Sequence, residues 1–165
     1  MPLMETPSPK HLGLSFVVLL IVCFAVGAAG GLVTTPNVTG WYAGLAKPAW
    51  TPPNRLFGPV WSLLYLSMAV AAWLVWRRTD RTSVALPMGL FGVQLFLNGL
   101  WSWLFFGFHN PAAAFVDIVL LWTAIAAVTV VFWRLSTAAG LLFLPYLAWV
   151  SFAAMLNFAV WRMNT

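Results

Sequence analysis

Residues 12–33 read LGLSFVVLLIVCFAVGAAGGLV, twenty-two consecutive positions without a charged side chain. A bilayer core demands about 20 apolar residues from a spanning helix. The run is longer than the apolar core of a signal peptide, and further spans follow it, so it reads as a retained helix. Four more runs of spanning length appear at about 55–76, 84–108, 111–132 and 138–161. Lipid offers the backbone no hydrogen-bond partners, so each span must satisfy its own amides and carbonyls. The residue alternation of a membrane barrel strand is absent. The fold class follows: an all-α integral membrane protein, a bundle of five transmembrane helices.

Composition agrees. Hydrophobic residues make up 62% of the chain and charged residues 7%, against about 25% charged in an ordinary soluble domain. Apolar side chains must therefore face lipid as well as each other. The net charge of +5 rests on eight basic residues, most of them at span ends. No dense basic stripe exists, which excludes a nucleic-acid surface. The single cysteine, Cys23, permits neither an intrachain disulfide nor a cysteine-based metal site. With only His11 and His109, the sequence offers no histidine pair at metal spacing and no credible Ser–His–Asp set. No metal site is expected, and no cofactor is obligatory.

Residues 1–11 read as a flexible tail, and residues 12–163 as one domain. Proline disfavours helix at the residue before it, so the first span is expected to end near Thr34-Thr35-Pro36. Residues 36–54 hold Pro36, Trp41, Pro48, Trp50, Pro52 and Pro53. Proline stiffens the backbone and tryptophan favours the interface, so this loop should lie ordered across one end of the bundle. Asn54 is a candidate N-cap for the second span, and Asn110-Pro111 forms a cap followed by proline for the fourth. Residues Arg77 to Arg81 make a charged loop, and Arg134 to Thr137 a tight turn. Pro145 should kink the fifth span toward the interior. Five spans put the termini on opposite sides, and the basic residues favour an inside N-terminus.

Polar groups within a membrane need a partner or a purpose. Span two places Trp61, Tyr65 and Met68 on one face. Span three does the same with Gln94, Asn98 and Trp101, and span five with Tyr146, Trp149, Ala153 and Asn157. Packed together, these faces would wall a cavity for a large, planar, mostly apolar ligand. The same amides can equally serve as bridges between helices. Asp117, about two turns into span four, is open to either reading. Gly27 to Gly31 supplies a small-xxx-small pattern that permits close helix approach.

The stretch Trp41-Tyr42-Ala43-Gly44-Leu45-Ala46-Lys47-Pro48-Ala49-Trp50-Thr51-Pro52-Pro53 resembles the signature of the TspO/MBR family. Its members are also called translocator proteins, tryptophan-rich sensory proteins and peripheral-type benzodiazepine receptors. The likeness continues through Phe57 to Tyr65, Gln94 to Asn98, Phe105-Phe106-Gly107, Val116-Asp117, Pro145 to Trp149 and Leu156 to Arg162. The resemblance implies a five-helix bundle, commonly a homodimer, with a cavity beneath the first loop. It implies binding of porphyrins, notably protoporphyrin IX, and of benzodiazepine- and isoquinoline-type ligands. The implied ligand-binding residues are Tyr42, Trp50, Trp61, Tyr65, Asn98, Trp149 and Ala153. Lys47 would pair with a propionate at the mouth, and Trp101, Asp117, Tyr146 and Asn157 stand nearby. Transport, sensing or regulation of tetrapyrroles is the implied role. One alternative is light- and oxygen-dependent porphyrin breakdown, with Trp61 and Trp149 as the photochemical residues. Another is a lipid-binding scaffold. Phe158 replaces the tyrosine of the animal cholesterol pattern, so cholesterol transport is not carried over. Short loops and the missing basic tail favour a bacterial cell envelope; the mitochondrial outer membrane also fits the family.

Overall fold

The structure, a computed structural model, describes residues 9–78 and 84–165. The N-terminal tail before Pro9 and the charged loop at 79–83 lie outside the described residues. Six α-helices follow in order: α1 (Pro9–Val38), α2 (Trp41–Gly44), α3 (Phe57–Trp76), α4 (Ala85–Ser102), α5 (Pro111–Leu135) and α6 (Thr137–Met163). A 3-10 turn (Asn54–Leu56) leads into α3, and a π-helical turn (Trp103–Gly107) extends α4. Five of these helices are long and apolar enough to cross a membrane. They form a closed ring in the order α1, α3, α6, α5, α4 and back to α1. The buried core centres on Met68, Phe91, Ile125, Phe132, Phe143 and Tyr146.

Several helix boundaries differ from those expected. Helix α1 starts earlier, at Pro9, and does not stop before Pro36: it runs on to Val38. Pro36 removes the one amide that would donate to the carbonyl of Leu32, and with so few residues left the helix ends two positions later. Next to it, Asn37 donates its side-chain amide to the carbonyl of Val33 at 2.8 Å. Asn54 caps nothing with its side chain, because it opens the 3-10 turn and α3 begins only at Phe57. Asn110 does cap α5: its side chain accepts from the amide of Ala113 at 3.0 Å, with Pro111 at the first helical position. The turn after α5 shrinks to Ser136, whose hydroxyl accepts from Ala139 while its own amide donates to Phe132. Pro145 is exposed on the outer face of α6, not turned inward. The carbonyl of Leu142, one position beyond the one that Pro145 leaves free, accepts a 2.6 Å bond from the Ser67 hydroxyl of α3.

The π-helical turn has a packing consequence. One extra residue per turn rotates the chain, so that Trp101, Phe105 and Phe106 all point inward. Phe105 and Phe106 are buried although adjacent, with ring centroids 4.9 Å apart.

Glycines set the spacing of α1 in the ring. A Cβ at Gly27 would lie 2.5 Å from the Tyr65 ring on α3, and one at Gly30 would lie 2.9 Å from the Ser102 hydroxyl on α4. A Cβ at Gly31 meets nothing within 4 Å. Gly27→Ala should therefore lower stability by about 1–3 kcal/mol through overpacking. Gly31→Ala should be neutral or stabilising by up to about 1 kcal/mol, since alanine is the better helix former. Thermal unfolding of both variants in detergent checks this, and the reverse order would refute the packing derived for α1.

Candidate functional site

A cavity of about 660 Å³ opens among α1, α3, α4 and α6 at the end of the bundle that carries the 39–53 segment. Its volume falls in the range of about 300–1,000 Å³ usual for small-molecule sites. Helix α5 contributes no lining residue. The walls are mostly rings: Tyr42, Phe57, Trp61, Tyr65, Trp101, Phe105, Phe106 and Trp149. Trp61 lies 5.7 Å from Tyr65, and Phe57 meets Trp149 edge-on at 5.8 Å.

The floor is a hydrogen-bonded chain that joins three helices. The Tyr65 hydroxyl on α3 donates to the Asn98 side-chain oxygen on α4 at 2.5 Å. The Asn98 amide donates to the Tyr146 hydroxyl on α6 at 2.9 Å, and that hydroxyl donates to Gln94 at 3.0 Å. A second link runs from the Trp101 indole to Asn157 at 2.9 Å, and from the Asn157 amide to the carbonyl of Pro111 at 2.8 Å. Asn98 and Asn157 both face the cavity and bridge helices, while Gln94 only bridges, so the two readings left open by their spacing coexist.

The roof is held by two anchors. The Lys47 ammonium donates to the carbonyls of Tyr42 at 2.7 Å, Leu45 at 2.8 Å and Ala43 at 3.2 Å, and sits 4.8 Å from the centre of the Tyr42 ring. Three donors on one ammonium are thereby occupied. Asn164, past the end of α6, accepts from the amide of Ala46 at 3.0 Å and donates to its carbonyl at 2.9 Å. Tyr42 is buried beneath this segment against Phe105 and Phe106. That burial pushes its phenol pKa above the ordinary value.

Of the residues singled out from the sequence, Tyr42, Trp61, Tyr65, Asn98, Trp101, Trp149, Ala153 and Asn157 all line the cavity. Four do not. Trp50 is half exposed and packs edge-on against Phe152 at 5.8 Å, outside the cavity wall. Lys47 does not line the cavity: its ammonium is turned into its own loop, onto the carbonyls of Tyr42, Ala43 and Leu45. Tyr146 is fully buried one layer behind Asn98. Asp117 is buried on α5, where its Oδ2 atom has no hydrogen-bond partner.

Sequence reasoning missed the whole contribution of α1: Phe24, Ala28, Gly31, Thr34 and Thr35 form one wall. The signal was there in the small-residue run, which was read only as a contact between helices. Asn164 was missed because a lone asparagine after a span carries no pattern.

The TspO/MBR family pattern matches residues 19–162, nearly the whole bundle including every cavity wall. The chain belongs to the TspO/MBR family. It is 42% identical over 151 residues to the tryptophan-rich protein TspO of Archaeoglobus fulgidus, covering 92% of this chain and 97% of the relative. It is 41% identical over 145 residues to the translocator protein of Sus scrofa, covering 84% and 86%. It is 36% identical over 149 residues to the tryptophan-rich sensory protein of Cereibacter sphaeroides, covering 90% of each. As a TspO/MBR member with five spanning helices, the protein is a multi-pass integral membrane protein.

In this TspO/MBR chain, Asn98→Ala would leave the Tyr65 hydroxyl without its acceptor and Tyr146 without its donor. The cost should be about 1–3 kcal/mol. At this chain length that lowers the thermal midpoint by roughly 2–4 °C for each kcal/mol. An unchanged midpoint would show that the chain of hydrogen bonds does not hold the three helices together.

Proposed function

We propose that this protein binds a planar tetrapyrrole of the protoporphyrin IX type in the cavity, and acts as a membrane carrier or sensor for it. Synthetic benzodiazepine- and isoquinoline-type ligands would occupy the same space. The observation that carries this reading is the cavity wall itself. Trp61, Trp101 and Trp149 line one space with few polar atoms, and each flat face can meet a macrocycle in an offset stack. The relatives support it only through their names, which describe a translocator and a sensory protein.

A second reading is favoured by Trp61 and Trp149 lining the same cavity. A bound pigment excited by light takes an electron from an adjacent indole, leaving a tryptophan radical cation and a reduced pigment. Molecular oxygen, the co-reactant, takes up that electron as superoxide, and the indole radical cation then draws one electron from the macrocycle, so that the pigment has lost one electron net to oxygen and the indole is restored. No general base and no metal ion take part in the electron transfer.

One titration separates these readings. Protoporphyrin IX added in the dark to detergent-purified protein should quench tryptophan fluorescence saturably. Trp61→Phe combined with Trp149→Phe should raise the Kd about threefold or more, since each weakened stack is worth about 0.5–1.5 kcal/mol beyond area burial. Pigment bleaching under light in air that the double variant abolishes supports the photochemical reading. Equal bleaching in both proteins rejects it and leaves the carrier or sensor. Absence of saturable dark quenching overturns the tetrapyrrole reading and leaves a lipid-binding scaffold.

A further inference from the structure

Among the described residues, helices α1 and α3 are fastened to each other from the start of α1 to its middle. Near the start of α1, the Trp73 indole of α3 donates to the carbonyl of Leu12 at 3.0 Å, and Phe16 packs on the Trp73 ring at 5.4 Å. Midway along, Gly27 lies so close to Tyr65 that a Cβ there would strike the ring. One turn further, on the same face of α1, the contact is gone. A Cβ at Gly31 meets nothing within 4 Å, and neither does a Cβ at Gly58 in the first turn of α3, and both glycines line the cavity. The two helices therefore diverge as a wedge between Gly27 and the roof.

That wedge is one wall of the cavity. Its edges are Ala28 and Thr35 on α1 with Gly58 and Ser62 on α3, and all four both line the cavity and are exposed. From Gly27 to Val38, eleven residues at 1.5 Å each give an opening about 16 Å tall. That is about half of a 30 Å hydrocarbon core, or one leaflet. The edge carries no charged side chain, and its polar groups are the hydroxyls of Thr35 and Ser62. The Ser62 hydroxyl is turned back onto the carbonyl of Gly58 at 3.0 Å. The roof, by contrast, is fastened by Lys47 and Asn164.

We propose that the cavity is loaded sideways, from the hydrocarbon of the leaflet on the roof side, through the opening between α1 and α3. The molecule that uses it is an apolar one already dissolved in the bilayer, and the roof is not the route. The side chains present no charge at the opening, so a guest sheds no water on its way in. This inference concerns access to the cavity and does not depend on which guest is natural.

The test uses full-length protein in phosphatidylcholine nanodiscs, with Cys23→Ala removing the native thiol and Ala153→Cys placing one in the cavity wall. N-phenylmaleimide, which dissolves in the bilayer, should label that thiol far faster than an anionic methanethiosulfonate confined to water. Ala28→Phe and Ser62→Phe, made separately on the two edges, should each slow maleimide labelling about tenfold, which corresponds to a barrier raised by roughly 1.4 kcal/mol. Asn164→Ala, which unfastens the roof, should leave that rate unaltered. The proposal is overturned if labelling stays as fast with both edges filled, or if Asn164→Ala accelerates it. Equal rates for the anionic and apolar reagents would also overturn it. Because no porphyrin is present, failure here leaves the tetrapyrrole reading untouched, and failure of the pigment titration leaves this result standing.

Discussion

The hydrogen bonds that converge on Asn98 organise the bundle. Lipid-facing apolar side chains gain little from association, because acyl chains are as apolar as leucine. Packing and interhelical hydrogen bonds must then set which helices meet and where. Asn98 on α4 accepts from α3 and donates to α6, tying three of the five spans at one depth. On one side of that level, side chains close-pack around Met68 and Phe143. On the other, the rings of Trp61, Trp101 and Trp149 stand apart and leave a void. An interior waist of this kind lets a small membrane protein keep an empty space without collapsing into it.

The roof depends on a different kind of interaction. Segment 39–53 carries three prolines and little regular structure, and its order comes from polar clasps at either side. Lys47 gathers the carbonyls at the end of the short helix α2, and a cation near a helix C-terminus is favourable for the same electrostatic reason. Across the roof, the His109 ring stacks on Trp41 at 4.4 Å and meets the Asn37 side chain at 2.8 Å. His109 itself sits at φ 52°, in left-handed backbone that a non-glycine residue adopts only when its surroundings hold it. The α4–α5 connection thus braces the far end of α1.

The sequence announces some of these features and conceals others. Five spans were readable because a bilayer imposes one length and one polarity on each, and α5 even displays its cap and proline in order. The aromatic faces of α3, α4 and α6 were readable because helical periodicity places Trp61 with Tyr65, Asn98 with Trp101, and Trp149 with Ala153. Lys47 shows where that reading ends. A lysine in a loop advertises a charge, and nothing in its neighbours says that its three donors are used by the backbone beside it. Pro145 and Pro36 mislead for a related reason: a proline's effect depends on what replaces the lost bond. Here Ser67 and Asn37 supply polar partners close to each site. The wall contributed by α1 was hidden because small residues look the same whether they press against a neighbour or stand back from one.

Helix α1 is supported at both extremes, by Trp73 near its start and by His109 at its end. Between the supports, Gly27-Ala28-Ala29-Gly30-Gly31 contains no side chain larger than a methyl group. Mechanically this is a beam resting on two bearings with its thinnest section at mid-span. That section is also where it is pinned, since Gly27 lies against Tyr65 and Gly30 against Ser102. The beam therefore has a third bearing at its waist, and any slack in it lies between Gly31, where an added Cβ meets nothing, and the roof.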